Sequence, residues 1–353
     1  MTEGYRDSLD IMANVTDMYE GYDYDYYSGD NVSSACPVLP GTGAFLCAAY
    51  SLTFALGLPA NVLLLLLAAG AQARWKGGGP VVAPGPFVPA LALADLTLVL
   101  PLPLWVDAWQ QEGVWSFGGA ACRAGAYLAA AGAHASVLLL ALTSLERLLA
   151  TARPRAHGRL RPRSQALLLA LGVWATALLT AGPVLWRRGL QPRPGEERPT
   201  YLCADADPPG PGLALAYWAW TFMLPLGLVL ACNWEVGRRL RGATVWGRRR
   251  DRRLRRSVAL VRAVAAAFAA CWLPFRSLQV AGLVARWRGE ATDCGLRWAQ
   301  EVTAPLAMAS AVANPAVYLL YAEWPRRALG GLLGRRGAAE ATGSLYTSSD
   351  TPG

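Results

Sequence analysis

Long apolar stretches run through most of the chain and alternate with short segments that are rich in Arg, Gly and Pro. A helix that crosses a bilayer needs about 20 mostly apolar residues. Runs such as 61–69 and 137–142 lack the polar face that a surface helix of a soluble protein has, which disfavours a soluble all-helical core. The pattern predicts seven membrane-spanning helices, at about 44–70, 87–108, 120–150, 165–186, 213–236, 258–285 and 298–321.

Composition agrees with a membrane protein. Apolar residues make up 54% of the 353 residues and charged residues 16%, whereas soluble domains average about 45–50% and about 25%. The mean hydropathy is +0.26. Seven Cys and two His are too few for a disulfide scaffold, a zinc-finger array or a His-based catalytic centre. With neither a nucleophile–base pair nor a metal-ligand cluster evident in the sequence, we expect neither an enzyme nor a bound organic cofactor.

The distribution of charge predicts the orientation in the membrane. The chain has 33 basic and 24 acidic residues, a net charge of +9. Arg and Lys concentrate after the first, third, fifth and seventh spans, whereas residues 1–43 are strongly acidic. Because positive residues in short loops favour the cytoplasmic side, the N-terminus is predicted to be extracellular. The basic inner surface then suits anionic membrane lipids, and a nucleic-acid partner is not expected.

The acidic N-terminal segment carries two further signals. Asn14 and Asn31 begin N-glycosylation sequons. Residues 19–27 alternate Tyr with acidic residues, which indicates either a solvated tail or a docking strip for a basic partner. The aromatic anchors of this docking strip would be Tyr22, Tyr24, Tyr26 and Tyr27.

Four cysteines lie in predicted outer segments or at the outer ends of spans, and four cysteines permit three pairings. They are Cys36, Cys122, Cys203 and Cys294. The other three lie within predicted spans, where buried free thiols are expected; these are Cys47, Cys232 and Cys271.

Each predicted span also carries a short motif. In chain order these are Leu58-Pro-Ala-Asn61, Leu91-Ala-Leu-Ala-Asp95, Glu146-Arg147-Leu148, Trp174, Pro225, Cys271-Trp272-Leu273-Pro274 and Asn314-Pro315-Ala316-Val317-Tyr318. Over nearly the whole chain this set resembles the rhodopsin family (class A) of G-protein-coupled receptors. The resemblance implies an all-α membrane protein, a seven-transmembrane helix bundle with a short amphipathic eighth helix. We therefore expect a Tyr-rich tail at 1–43, the bundle at 44–321, the eighth helix at 322–334 and a Ser/Thr tail at 335–353.

Some segments are similar to one subgroup of the family. Leu102-Pro103-Leu104-Trp105 and Trp115-Ser-Phe117-Gly118 resemble chemokine and chemoattractant peptide receptors. The segment 268–275, together with the second inner loop, resembles the apelin receptor most. The resemblance implies a ligand that is a basic peptide or small protein, apelin-like or chemokine-like, and favours the docking-strip interpretation. It also implies two disulfides, Cys122–Cys203 and Cys36–Cys294.

The resemblance further implies a sodium site. A charge near the middle of a bilayer costs about 2.5–3.5 kcal/mol on insertion scales, so Asp95 is expected to face the bundle and hold a partner. In the family that partner is a sodium ion, and hard cations prefer oxygen donors. The donors here would be Asp95, Ser136, Ser310 and Asn314. The alternative is a protonated Asp95 that is only hydrogen-bonded. Gly132 stands where many relatives carry a polar residue.

Coupling and activation residues are implied in the same way. Glu146 and Arg147 are expected to pair at rest, and Arg147 to contact the G protein when span 6 swings out. The expected switch residues are Trp272, Pro274, Asn314, Pro315 and Tyr318. Leu148 and Asn233 stand where relatives usually carry Tyr. These two departures favour the alternative of a scavenging receptor, which binds ligand without G-protein signalling.

Arg276 is the candidate centre of the ligand pocket. It follows Trp272 by four residues and so lies on the same helical face, one turn further out. A cation well inside span 6 needs an anion, either an acidic group of the ligand or Glu301 of span 7. We assign Trp105, Arg276 and Glu301 to the pocket.

These expectations describe a multi-pass receptor of the plasma membrane. Its expected partners are the extracellular ligand, a heterotrimeric G protein of the inhibitory type, membrane lipids, and arrestin, which phosphorylation of the Ser/Thr tail would recruit. A transporter is the alternative from another class. Transporters usually have internal repeats with matched broken helices, and none is evident in the sequence.

Overall fold

Seven helical segments of membrane-spanning length make up most of the described part of the protein. The computed structural model describes residues 40–76, 85–152, 163–193, 200–206, 210–242, 248–290, 294–322 and 324–325. Within them, seven helices are long and apolar enough to cross a membrane, and we number them spans 1 to 7. They are Thr42–Ala71, Val88–Gln110, Gly118–Ala152, Ser164–Arg187, Pro211–Arg241, Arg255–Trp287 and Cys294–Tyr321. The predicted seven-span architecture is therefore confirmed.

Proline accounts for several of the breaks in these helices. Spans 1, 3 and 6 belong to the uninterrupted helices Thr42–Lys76, Gly118–Ala152 and Arg248–Trp287. Each of the other spans consists of two helices. Span 2 is formed by Val88–Val99 and Leu102–Gln110, and span 4 by Arg163–Ala181 and Pro183–Arg187. Span 5 is formed by Pro211–Trp218 and Leu224–Gly242, and span 7 by Cys294–Met308 and Ser310–Tyr321. Pro101 and Pro183 lie at the breaks of spans 2 and 4, because proline lacks the N–H that continues a helix. In span 5 a π-helical turn, Ala219–Met223, precedes Pro225.

A two-stranded hairpin lies between spans 4 and 5. Strand β1, Arg188–Pro192, pairs antiparallel with strand β2, Tyr201–Asp205, and Leu190 lies opposite Cys203. The all-α expectation omitted this hairpin. Short strands with Gly and Pro among their residues carry little periodicity in the sequence.

Span 3 runs through the middle of the bundle, where Ala129–Val137 is buried without interruption. At Gly132 it lies against span 2 so closely that an added Cβ would be 2.6 Å from Thr97 Oγ1 and 2.7 Å from the Ala94 carbonyl oxygen. Large apolar side chains such as Leu66 and Leu179 point outward, with exposures of 65% and 78%. The interior is also largely apolar, but it holds buried polar residues such as Asp95 and Asn314, and such polar groups in the interior with apolar side chains on the outer surface suit a bundle surrounded by lipid.

The two ends of the bundle differ. We call the end that carries Cys122 the disulfide end and the end that carries Arg147 the arginine end. Of the predicted eighth helix at 322–334, the structure describes Ala322, which is extended and follows the last helical residue of span 7, and Trp324 and Pro325, which are helical, with Trp324 buried at 5% exposure. The remainder of that segment lies outside the described residues, as do the two predicted tails.

Candidate functional site

A buried hydrogen-bonded cluster surrounds Asp95 of span 2 at the centre of the bundle. Asp95 is 1% exposed, and Asn314 of span 7 donates from Nδ2 to both carboxylate oxygens at 3.1 Å. The Ser136 hydroxyl of span 3 donates to Asp95 Oδ1 at 3.2 Å. A buried charged or polar group needs such partners because water is not there to supply them. One carboxylate thus joins spans 2, 3 and 7.

Trp272 of span 6 is joined to the same region of span 7. Its indole Nε1–H donates to Ser310 Oγ at 3.0 Å, and both residues are buried. Ser310 lies one turn before Asn314. Asn61 of span 1 donates to the Ala311 carbonyl at 2.8 Å. Three of the four predicted sodium ligands therefore share one cluster, and the fourth contacts Trp272.

The oxygen atoms of this cluster fit a hard cation. The cluster offers a carboxylate, a hydroxyl and an amide, and Asn314 Oδ1 is buried with no hydrogen-bond partner among the described residues. Hard cations prefer such oxygen ligands. Gly132 adds no oxygen, and the close approach of span 2 leaves no room for a side chain there.

Arg276 lies one turn from Trp272 among aromatic rings. It is 5% exposed, and its guanidinium carbon is 5.2 Å from the Trp272 ring centroid and 5.4 Å from that of Phe222, within range of a cation–π interaction. Its Nη1 donates to Gln279 Oε1 at 2.8 Å. The ion pair between Arg276 and Glu301, the alternative to an acidic group of the ligand, stays a prediction.

A second polar contact joins spans 3, 4 and 5, and the sequence analysis did not identify it. His134 Nδ1 lies 3.0 Å from Thr180 Oγ1. The Tyr217 hydroxyl donates to the Thr180 carbonyl at 2.7 Å, and the Tyr217 ring packs edge-on against His134 at 5.9 Å. Thr180 and Tyr217 lie on different spans from His134, so no sequence spacing connects the three.

The hairpin covers the disulfide end and is attached there by the predicted Cys122–Cys203 disulfide, which the structure contains. Trp115, 5% exposed, packs with Cys122 in a small apolar cluster at this end. Its ring centroid is 6.4 Å from that of Trp105. The Trp115 backbone N–H donates to the Tyr201 carbonyl at 2.8 Å. These contacts place the predicted pocket residue Trp105 beneath the attached loop.

A buried ion pair lies at the base of the hairpin. Arg188 Nε is 3.1 Å from Asp205 Oδ1, and the two side chains are 2% and 3% exposed. Arg123 of span 3 donates to the Arg188 carbonyl at 2.9 Å. Strand register places Arg188 opposite Asp205, and sequence reasoning missed the pair because it did not identify the strands.

At the arginine end, Arg147 Nη2 lies 3.3 Å from Glu146 Oε2. Asn233 of span 5 donates from Nδ2 to Ser144 Oγ at 3.1 Å, close to that pair on span 3. Tyr318 of span 7 is buried, with 5% exposure.

The remaining predicted residues fall into two groups. Pro274 and Pro315 lie inside the helices of spans 6 and 7. Cys294 is disulfide-bonded, and its pairing with Cys36 stays a prediction. Outside the described residues lie Asn14, Asn31, Cys36, Tyr22, Tyr24, Tyr26 and Tyr27.

Seven spans around a buried carboxylate, with a disulfide-attached hairpin over one end, are the architecture of a seven-transmembrane receptor. Residues 85–318 match the family "7 transmembrane receptor (rhodopsin family)". The chain belongs to this family, whose members are receptors rather than enzymes, and it is a multi-pass membrane protein.

Two mouse proteins are similar to the chain over most of its length. "Probable G-protein coupled receptor 25" is 35% identical over 324 residues, which cover 89% of this chain and 86% of that receptor. "G-protein coupled receptor 15" is 30% identical over 311 residues, which cover 87% of this chain and 84% of that receptor. Both similarities extend beyond the family match and support the same assignment.

Proposed function

We propose that this protein is a cell-surface receptor for an extracellular peptide or small protein, apelin-like or chemokine-like. It signals through a heterotrimeric G protein of the inhibitory type. The observation that carries the proposal is a line of contacts from the pocket to the centre of the bundle. Arg276 packs on Trp272, Trp272 donates to Ser310 at 3.0 Å, and Asn314, one turn further on, binds Asp95. A ligand that displaces Arg276 therefore acts on contacts that join three spans, 6, 7 and 2.

The chemistry of Arg276 indicates what the ligand presents to it. A buried guanidinium with aromatic rings on its face attracts an anion, and guanidinium–carboxylate hydrogen bonds are among the strongest in proteins. We infer that an acidic group of the ligand enters at Arg276, with Trp105 and Glu301 as further pocket residues. The docking strip at 19–27 attracts a basic segment of the same ligand, since opposite charges speed association.

Activation is a shift between resting and open conformations. At rest Arg147 pairs with Glu146. Ligand binding favours a conformation in which span 6 swings out about Pro274, where proline removes a helix hydrogen bond, and Arg147 then contacts the G protein. In this proposal the arginine end faces the cytoplasm, the N-terminus with its glycans on Asn14 and Asn31 is extracellular, and arrestin binds the phosphorylated tail.

A sodium ion is an allosteric partner in this proposal. Asp95, Ser136, Ser310 and Asn314 would hold it, and the ion would supply a positive charge that balances the buried carboxylate. The buried Asn314 Oδ1 supports this assignment, because no described residue donates a hydrogen bond to it.

The test uses cells that express the full chain. Apelin-type and chemoattractant peptides are screened for nucleotide exchange on an inhibitory-type G protein. Arg147→Ala is expected to retain surface expression and ligand binding but to lose exchange. Arg276→Gln is expected to lose high-affinity binding, whereas Arg288→Gln, the same charge change at an exposed position, serves as the control. Equal binding by both Gln variants would contradict the assignment of Arg276.

A scavenging receptor is the second candidate, and Asn233 favours it. Relatives usually carry a Tyr here that stabilises the active state, whereas the Asn233 amide is engaged with Ser144 at 3.1 Å. If the ligand is internalised without nucleotide exchange, and Asn233→Tyr does not increase that exchange, the scavenger proposal replaces the signalling one. Increased exchange in Asn233→Tyr would support the signalling receptor.

A further inference from the structure

Two arginines of span 6 donate hydrogen bonds to backbone carbonyls of span 5. Arg262 Nη2 donates to the Asn233 carbonyl at 2.7 Å, and Arg255 Nη2 donates to the Leu240 carbonyl at 3.2 Å. The two arginines are seven residues apart, and so are the two acceptors. Seven residues are about two helical turns, so the same contact repeats along one face of each helix. We call these four residues the arginine clasp.

The acceptor carbonyls have a physical reason to receive these donors. Leu240 lies in the last turn of the helix Leu224–Gly242, where carbonyls lack an intrahelical donor and a cation is favoured by the helix dipole. The Asn233 carbonyl lies within the helix and has a second lone pair to offer. Asn233 also donates from its side chain to Ser144, so spans 3, 5 and 6 meet at this residue.

Gly237 makes room for the hydrogen bond between Arg262 and the Asn233 carbonyl. It lies one turn after Asn233, and a Cβ at this position would collide with Arg262 Nη2. Glycine is a poor helix former, yet here its missing side chain leaves space for a guanidinium. Gly227, in the same helix, has no atom within 4 Å of where its Cβ would be. Of these two glycines, only Gly237 lies against a side chain that forms a hydrogen bond between spans.

Other arginines at this end make contacts of a different kind. Arg238 and Arg239 each lie 2.7 Å from Glu235 of their own helix, and Arg147 pairs with its neighbour Glu146. These ion pairs do not bridge spans. The arginine clasp therefore differs in that its donors belong to span 6, which moves in the proposed activation, and its acceptors belong to a second helix, span 5.

We propose that the arginine clasp holds the arginine end of span 6 against span 5 and sets the fraction of receptor that is open without ligand. The inference rests on the proposed opening of span 6. Both arginines lie far below Pro274 on span 6, 12 and 19 residues before it, so a swing about Pro274 moves their guanidinium groups relative to the carbonyls of span 5 and strains both hydrogen bonds. Removing either one favours the open conformation, as does a side chain at position 237 that displaces Arg262.

The test measures the position of span 6 in the purified full-length receptor in nanodiscs, with neither ligand nor G protein. Spin labels are placed at two exposed positions, Leu149→Cys on span 3 and Ala259→Cys on span 6, and their distance distribution is recorded by double electron–electron resonance. Arg262→Met and Arg255→Met keep the apolar stem and remove the donors. Each is expected to raise the open population about threefold, as for loss of one modest hydrogen bond.

Gly237→Ala gives an independent test, because both arginines remain. It is expected to raise the open population as Arg262→Met does. Two matched controls, Gly227→Ala on the same helix and Arg239→Met, are expected to retain the wild-type distribution. If Gly237→Ala and Arg262→Met also retain it, the clasp proposal is overturned.

Nucleotide exchange on an inhibitory-type G protein, measured on the same samples, separates this inference from the proposed function. A shift in distances together with increased basal exchange supports both. A shift in distances without exchange, with or without ligand, supports the clasp and contradicts G-protein signalling. Unchanged distances contradict the clasp whatever the exchange assay gives.

Discussion

Replacing Gly132 by Ala tests the closest approach of two spans in the bundle. The new Cβ would lie 2.6 Å from Thr97 Oγ1, 2.7 Å from the Ala94 carbonyl oxygen and 2.9 Å from the Leu98 backbone nitrogen. Two of these atoms belong to the backbone of span 2, so rotation of a side chain cannot relieve the overlap. Forcing extra atoms into a packed core typically costs about 1–3 kcal/mol, and we expect a destabilisation in this range relative to a matched variant.

The matched variant is Gly172→Ala on span 4. No atom lies within 4 Å of where its Cβ would be, so it reports the general effect of Gly→Ala within a helix, a stabilisation of about 0.5–1 kcal/mol. Thermal unfolding of the purified receptor can be followed with a thiol-reactive dye, because Cys232 and Cys271 are buried until the bundle opens.

Gly132→Ala is expected to lower Tm, whereas Gly172→Ala should leave Tm unchanged or raise it. Equal Tm values for the two variants would mean that spans 2 and 3 can separate at no cost, and the reasoning from the close approach would be refuted.

Three further predictions concern charge. Arg188→Ala removes the 3.1 Å partner of buried Asp205 but keeps Arg187, whose Nη2 lies 3.7 Å from Asp205 Oδ2. Complete loss of the partner of a buried charge costs about 3–5 kcal/mol, so Arg188→Ala should lower Tm by less than the double variant Arg187→Ala/Arg188→Ala, and unchanged Tm in both would contradict a structural role. In Asp95→Asn, sodium should no longer alter ligand affinity; a persisting sodium effect in a radioligand titration would place the ion elsewhere. Changing the four docking-strip tyrosines to Phe should weaken ligand binding if sulfation, as in relatives, adds charge there; unchanged affinity and salt dependence would indicate a solvated tail.

Contacts within one helix could be predicted from spacing. Arg276 and Trp272 are four residues apart, and the structure places the guanidinium 5.2 Å from the indole centroid. Contacts between helices needed information that spacing does not carry. The Arg262–Asn233 hydrogen bond and the His134–Thr180 contact depend on how far each helix is rotated and shifted against its neighbour, and those parameters follow from side-chain packing over the whole interface.

The sequence by itself determined the number of spans and their approximate limits, because apolar length decides whether a helix can cross a bilayer. It also determined which polar residues must face inward, since a charge such as Asp95 is costly in lipid. Only the tertiary structure decided which partners those residues meet, the hairpin register that sets Arg188 against Asp205, the need for Gly at position 132, and the contact of Gly237 with the Arg262 guanidinium. These features arise from close approach between segments far apart in the chain, where a difference of one ångström separates a contact from a collision.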